Sequence, residues 1–242
     1  MDRRAATGRT PVSRTGAPPT PTRPDTPLVR FDRVERTVHW ATAALFGIVV
    51  VTGAALFSTP VVALVGRRAL VEQVHVAAGL ALPVPFLVGV AGRWGRGLRS
   101  DIGRFNRWSP ADRDWFRSAF PARGRRLRAP DGLPIGKFNP GQKLNAAFVA
   151  GAGIVMLVSG CILRWFRPFP LSWREGATIV HNWLAVAFVL VVAGHVVMAL
   201  THPEERRSMV HGDISRAWAR RRAPAWLGEE ATGPDPGKRR GS

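Results

Sequence analysis

Four stretches of this chain, residues 41–66, 73–92, 144–163 and 176–203, contain no Asp, Glu, Lys or Arg. Each reaches the ~20 residues that an α-helix needs to cross the hydrocarbon core of a bilayer. In a chain of 242 residues they leave little sequence from which to build an aqueous core. The fold they predict is all-α, a bundle of four transmembrane helices with spans at about 40–58, 73–92, 144–164 and 177–200. Composition agrees. There are 35 Lys+Arg against 16 Asp+Glu, yet the mean hydropathy is zero, so charged and apolar residues are segregated along the chain. Such a basic chain invites a nucleic-acid reading. That reading fails because the basic residues flank spans and are interrupted by acids, whereas a nucleic-acid surface needs a continuous patch on a folded domain.

Charge also sets an expected orientation. Four spans place both termini on one side, together with the loop between spans two and three. Segments 1–39, 93–143 and 201–242 hold 8, 13 and 9 Lys+Arg, against 2 and 3 in segments 58–72 and 164–175. Positively charged flanks stay cytoplasmic, so both termini are expected in the cytoplasm and the bundle in the inner or plasma membrane of the cell. Residues 1–30 hold six Pro and six Arg and read as a disordered arm. Residues 31–203 read as the membrane domain and 204–242 as a basic cytoplasmic tail. With no apolar stretch near Met1, the first span is expected to act as the insertion signal.

The cytoplasmic loop carries a helix signal of its own. Ser109-Pro110-Ala111-Asp112 supplies an N-cap, a proline at the first helical position and an acid in the first turn. Trp115, Phe116, Ala119 and Phe120 then share one face, opposite Arg113 and Arg117. This is an amphipathic helix, suited either to lying at the lipid surface or to docking a partner. Cys161, the single cysteine, lies inside the third run, which excludes an intramolecular disulfide, a thiolate iron–sulfur site and a CxxCH haem attachment. Tyr is absent, and the nine Trp stand mostly near the ends of the runs, where aromatic residues favour the membrane boundary.

Chemistry is carried by histidine. His39, His75, His181 and His195 lie within or at the ends of the apolar runs, and an ionisable group there is costly without a partner. No run contains a carboxylate that could serve, so neutral imidazoles holding a metal in an apolar pocket are the natural reading. Topology gives the depths. His39 begins the first span on the cytoplasmic side and His75 begins the second on the opposite side. His181 is shallow on the outer side, and His195, fourteen residues later, is about 21 Å deeper at 1.5 Å per residue. Fourteen residues is nearly four helical turns, so both lie within roughly 40° on one face.

The resulting pairs are His39 with His195 and His75 with His181. Two bis-histidine sites stacked across a bundle point to two b-type haems, since a haem asks the protein for two axial ligands while zinc takes three or four. Gly53, Gly79, Gly89 and Gly194 fit a flat macrocycle between helices, or simply close helix packing. Arg33 and Arg36 suit haem propionates or a positive flank. His202 and His211 lie beyond the last span and read as solvated.

These residues sit in pieces with a familiar pattern. They are RFDRVERTVHW at 30–40, VHVAAG at 74–79, IGKFNPGQKLNAAF at 135–148, LVSGCILRW at 157–165, VHNWLAV at 180–186, GHVVMAL at 194–200 and DISRAWARRRAPAW at 213–226. Over roughly residues 28–230 the chain resembles the cytochrome b (gamma) subunit of membrane-bound respiratory formate dehydrogenases. The GKFNPGQK segment is the most specific piece, while the HW and VH pieces recur among other bacterial diheme cytochromes b.

The resemblance implies a diheme subunit that anchors its complex and carries electrons to quinone. They would come from a molybdenum- or tungsten-dependent catalytic subunit, through an iron–sulfur subunit. It implies His39 and His195 as ligands of the cytoplasmic-side haem, and His75 and His181 as ligands of the outer one. It further implies a menaquinone pocket beside the cytoplasmic-side haem, at Asn139, Gly141 and Gln142, with His195 close to the quinone. Formate chemistry would belong to the partner. From the residues alone, Asn139 could equally be a plain cap for span three. Cytochromes b of hydrogenases and other molybdoenzymes share the arrangement of helices and histidines, and a haem-free anchor is the remaining alternative. Pro83 and Pro85 are expected to kink span two, and the arm at 1–27 has no counterpart in the family pattern.

Overall fold

The computed structural model describes residues 26–119 and 132–232. The first uncharged run lies inside a longer helix, α1 (Arg33–Phe57), because the helix is set by its cap and not by the edge of the lipid. Asp32 accepts from the Glu35 backbone N–H at 2.8 Å while Glu35 accepts from the Asp32 N–H at 2.6 Å, a reciprocal capping box. A short α2 (Thr59–Val65) turns the chain at the far end. The second span comes in two pieces, α3 (Arg68–Ala81) and α4 (Val84–Ala91). Pro83 and Pro85 have no N–H to give the ladder, so the expected kink takes the form of a break at Leu82–Pro83.

Two short helices follow, α5 (Arg96–Phe105) and α6 (Pro110–Ala119). The third span is α7 (Pro140–Arg164), capped by Asn139 as α1 is capped by Asp32. The fourth is the continuous α8 (Leu171–Thr201). Four helices are thus long and apolar enough to cross a membrane: Arg33–Phe57, Arg68–Ala91, Pro140–Arg164 and Leu171–Thr201. The first pairs mainly with the second and the third with the fourth, and α3 packing on α7 joins the two hairpins. Large apolar side chains such as Val51, Ile154 and Leu190 point outward, as lipid-facing positions do.

The part of the chain with a conventional core lies beyond the spans. Strand β1 (Leu28–Val29) pairs antiparallel with β2 (Asp213–Ile214), Leu28 opposite Ile214, and so ties the start of the chain to its end. Around this ribbon pack α9 (Pro203–His211), α10 (Arg216–Arg222) and α11 (Pro224–Thr232). Leu28, Ile214, Trp218, Ala219, Ala223 and Trp226 form a buried cluster. The turn into β2 needs a glycine: Gly212 has φ +97°, and a Cβ there would stand 2.7 Å from the Phe31 carbonyl oxygen.

This polar layer is held by ion pairs that reach far along the chain. Lys137, buried just before α7, contacts Asp101 of α5 at 2.5 Å and Glu35 of α1 at 3.4 Å. Lys143 pairs with the buried Asp112 of α6 at 2.9 Å. Asp112 also accepts from Ser109 N at 2.7 Å, closing the predicted helix start. Trp115 packs over Gly141, so part of the amphipathic face of α6 covers α7 of the same chain. Phe120, assigned to that face from the sequence, lies outside the described residues, as do most of the arm at 1–30 and the last ten residues.

Candidate functional site: two facing histidine pairs

The bundle brings the four span histidines together two by two. His39 on α1 faces His195 on α8, with ring centroids 6.2 Å apart. At the other end His75 on α3 faces His181 on α8, with centroids 6.4 Å apart. The first is called the near pair, for it stands about one turn above Glu35 and the polar layer, and the second the far pair. Two metal–nitrogen bonds of about 2 Å each, with two imidazole radii of roughly 1.1 Å, put the centroids about 6 Å apart across one ion. Both spacings fit that requirement. No group of three or more His, Cys, Asp or Glu converges among the described residues, so each pair suits a metal that brings its own remaining ligands, as haem does.

The far pair sits in two matching notches. The Thr52 hydroxyl on α1 lies 3.0 Å from His75 Nδ1, and the Ser159 hydroxyl on α7 lies 3.0 Å from His181 Nδ1. Each hydroxyl donates its own proton back along its helix, Thr52 to the Ile48 carbonyl at 2.6 Å and Ser159 to the Val155 carbonyl at 2.8 Å. Next to each stands a glycine. A Cβ at Gly53 would come 3.1 Å from His75 Cε1, and one at Gly160 would come 3.3 Å from His181 Cε1. Thr52 and Ser159 each stand twenty residues beyond the capping residue of their helix, Asp32 and Asn139. Gly53 is expected from the sequence, whereas Thr52, Ser159 and Gly160 are not, although the repeated Thr-Gly and Ser-Gly pairs at one offset carry the signal.

Between the pairs, three aromatic rings fill the bundle. Phe188 is buried seven residues from both His181 and His195, and its ring lies 5.6 Å from Phe46 and 5.2 Å from Phe148. Such rings give the middle of the bundle an apolar filling.

The other expected residues fall as follows. Gly89 packs against Val38 and Leu98 of the protein itself, which is helix packing, while Gly79 and Gly194 meet no neighbour within 4 Å of a built Cβ. Arg36 donates to the Val210 carbonyl at 2.5 Å, and with Arg33, Thr37, Trp40, Ala41 and Val210 it lines a surface cleft of about 470 Å³. His39 is not among the residues lining that cleft. His202 and His211 end α8 and α9. Asn139 and Gln142 form a reciprocal box: Asn139 accepts from Gln142 N at 2.9 Å and donates its own N–H to Gln142 Oε1 at 3.0 Å. Gln142 Nε2 donates to Glu205 at 3.1 Å, which leaves the Asn139 amide NH₂ as the side-chain donor of this turn with no bond among the described residues. Behind the turn, Arg30 lies over the Trp218 ring at 4.5 Å and donates to the Lys137 carbonyl. Burial lowers the pKa of its guanidinium, with the charges of Glu205 and Asp101 opposing that shift.

Four apolar spans with histidines meeting in pairs inside the bundle are the architecture of a membrane cytochrome b. The sequence profile of the prokaryotic cytochrome b561 family matches residues 30–212, and the chain belongs to that family. Among curated proteins it is 27% identical over 211 residues to the formate dehydrogenase cytochrome b556(fdo) subunit of Escherichia coli K12, covering 84% of this chain and 92% of that one. It is 23% identical to the nitrate-inducible formate dehydrogenase cytochrome b556(Fdn) subunit of the same strain, over 84% and 91% of the two chains. The formate dehydrogenase cytochrome b556 subunit of Haemophilus influenzae is also 23% identical, over 85% of this chain and 84% of its own.

Proposed function

We propose that this chain is the membrane cytochrome b subunit of a formate dehydrogenase complex. It anchors the complex in the cell membrane and conducts electrons from formate oxidation, through two haems b, to menaquinone or another quinone. The observation that carries this reading is the meeting of four histidines in two facing pairs, spaced for one metal ion each, in a chain whose curated relatives are named as formate dehydrogenase subunits.

Haem, when bound, supplies a one-electron carrier at each pair. The chain's own residues do the rest. His39 and His195 present imidazole nitrogens across the near pair, and His75 and His181 across the far pair. Phe46, Phe148 and Phe188 keep water out of the space between them and fix their separation. At the polar layer the Asn139 amide NH₂ donates to a quinone carbonyl, Gly141 leaves room for Trp115 at the edge of the turn, and Gln142 holds the shape of the turn through its bonds to Asn139 and Glu205. Protons for the quinone enter from the cytoplasm, the side to which the excess of Lys and Arg assigns both termini. The formate-oxidising site belongs to a molybdenum or tungsten partner, reached through an iron–sulfur subunit.

The test is substrate-driven reduction in the purified complex. Anaerobic addition of formate reduces the haem α-band, and a soluble menaquinone analogue reoxidises it. Reduction by hydrogen and not by formate would move the chain to a hydrogenase. Reduction by neither, in a complex retaining its partners, would overturn the electron-transfer reading.

A further inference from the structure

The far pair is oriented by hydroxyl groups, while neither His39 nor His195 makes a ring-nitrogen hydrogen bond among the described residues. The hydrogen on each hydroxyl can be placed. Thr52 spends its proton on the Ile48 carbonyl and Ser159 on the Val155 carbonyl, so each oxygen meets the facing imidazole as an acceptor. Nδ1 must therefore carry hydrogen in both histidines, which frees Nε2 as the coordinating nitrogen.

An acceptor on Nδ1–H draws that proton away, makes the imidazole more basic and so favours the higher charge on a coordinated iron. A hydroxyl already donating to a carbonyl is polarised into a better acceptor still.

We propose that Thr52 and Ser159 are positioning residues for the axial ligands. They fix His75 and His181 as Nδ1–H tautomers, and they make the haem at the far pair the lower in potential of the two. This rests on the two-haem reading above. It goes beyond that reading because it names the residues that set the two potentials apart. One electron leaving the far pair is taken up downhill at the near pair, where no such acceptor strengthens the ligands among the described residues. Gly53 and Gly160 belong to the same device, since a side chain at either would push the ring off its hydroxyl.

The test is a potentiometric titration of the haem spectrum in membranes carrying the full chain. In the native protein His75→Ala removes the low-potential component. Thr52→Val and Ser159→Ala, each still holding two haems, raise that component alone, and the double variant raises it most. A tenfold change in the reduction equilibrium would appear as 59 mV for one electron. Thr52→Ser restores the native value. If His75→Ala removes the high-potential component, or if both hydroxyl variants keep two haems with unmoved potentials, the proposal is overturned while the two-haem reading stands. A native chain holding no haem overturns both.

Discussion

His75 and His181 each meet a hydroxyl and a glycine on the neighbouring helix, whereas among the described residues the ring contacts of His39 and His195 are with each other and, for His39, with Trp40, above a layer of buried ion pairs. The difference follows from how the two hairpins correspond. Counting from the capping residues, Thr52-Gly53 and Ser159-Gly160 occupy the same place, and each histidine of the far pair begins its contact from the second helix of its own hairpin. The far pair is therefore a symmetric site. The near pair has no such symmetry: the position matching His39 is Ala146, and the one matching His195, fourteen residues after the far-pair histidine, is Gly89. A duplicated scaffold can place two ligands by repetition. A second site on the same scaffold has to be built from positions that the repeat leaves different.

The largest effect that separates the pairs is ligand removal. His75→Ala and His195→Ala each delete one of two haems, and the haemochrome content falls by half in both, with different spectral components lost. Loss of both haems from either variant would mean that the pairs are not independent sites. Next comes the polar layer. Lys137→Met leaves Glu35 buried without its cation and Asp101 with Arg104 alone, and removing one partner of a buried pair costs about 3–5 kcal/mol. Thermal unfolding should therefore fall steeply, with the near-pair haem released before the far-pair haem. An unchanged midpoint would contradict the structural role given to Lys137.

A smaller effect separates capping from quinone binding. Asn139→Asp keeps the side-chain oxygen that caps α7 and loses the amide donor. Stability should hold, since Asn and Asp cap about equally well, while the KM for quinone rises by about fivefold, the worth of roughly 1 kcal/mol of hydrogen bond. Asn139→Ala should lose both. An unchanged KM in Asn139→Asp would leave Asn139 as a cap alone. The smallest effect is expected at Gly160→Ala. Its new Cβ would stand 3.3 Å from His181 Cε1, so the ring shifts by tenths of an ångström. Alanine in place of a helical glycine returns about 1 kcal/mol. Stability should change little while the EPR signal of the far-pair haem moves, and that of the near pair should not.

The spans and the four histidines were legible because lipid imposes a simple grammar: charges are excluded, and an imidazole left among apolar residues stands out. The histidine depths followed from rise per residue, and the structure brings the rings together in the same combinations. The helix ends were harder, because the uncharged runs mark the lipid core while capping boxes at Asp32 and Asn139 carry α1 and α7 beyond it. The polar layer was not legible. Lys137 counted only as a positive flank, and nothing local announces its partners 102 and 36 residues away. Nor does anything local announce the two-residue strand pairing that joins position 28 to position 214. Asn139 shows the limit from the other side: the turn was predicted, and the cap uses its oxygen while its amide nitrogen makes no bond among the described residues.

The most direct test of the central claim is the amount of haem b per polypeptide in the purified, folded chain, measured by pyridine haemochrome beside a quantitative protein assay. Two facing histidine pairs predict two haems per chain, falling to one in His75→Ala and to one in His195→Ala. A folded native chain with a single haem, or with none, would contradict the account.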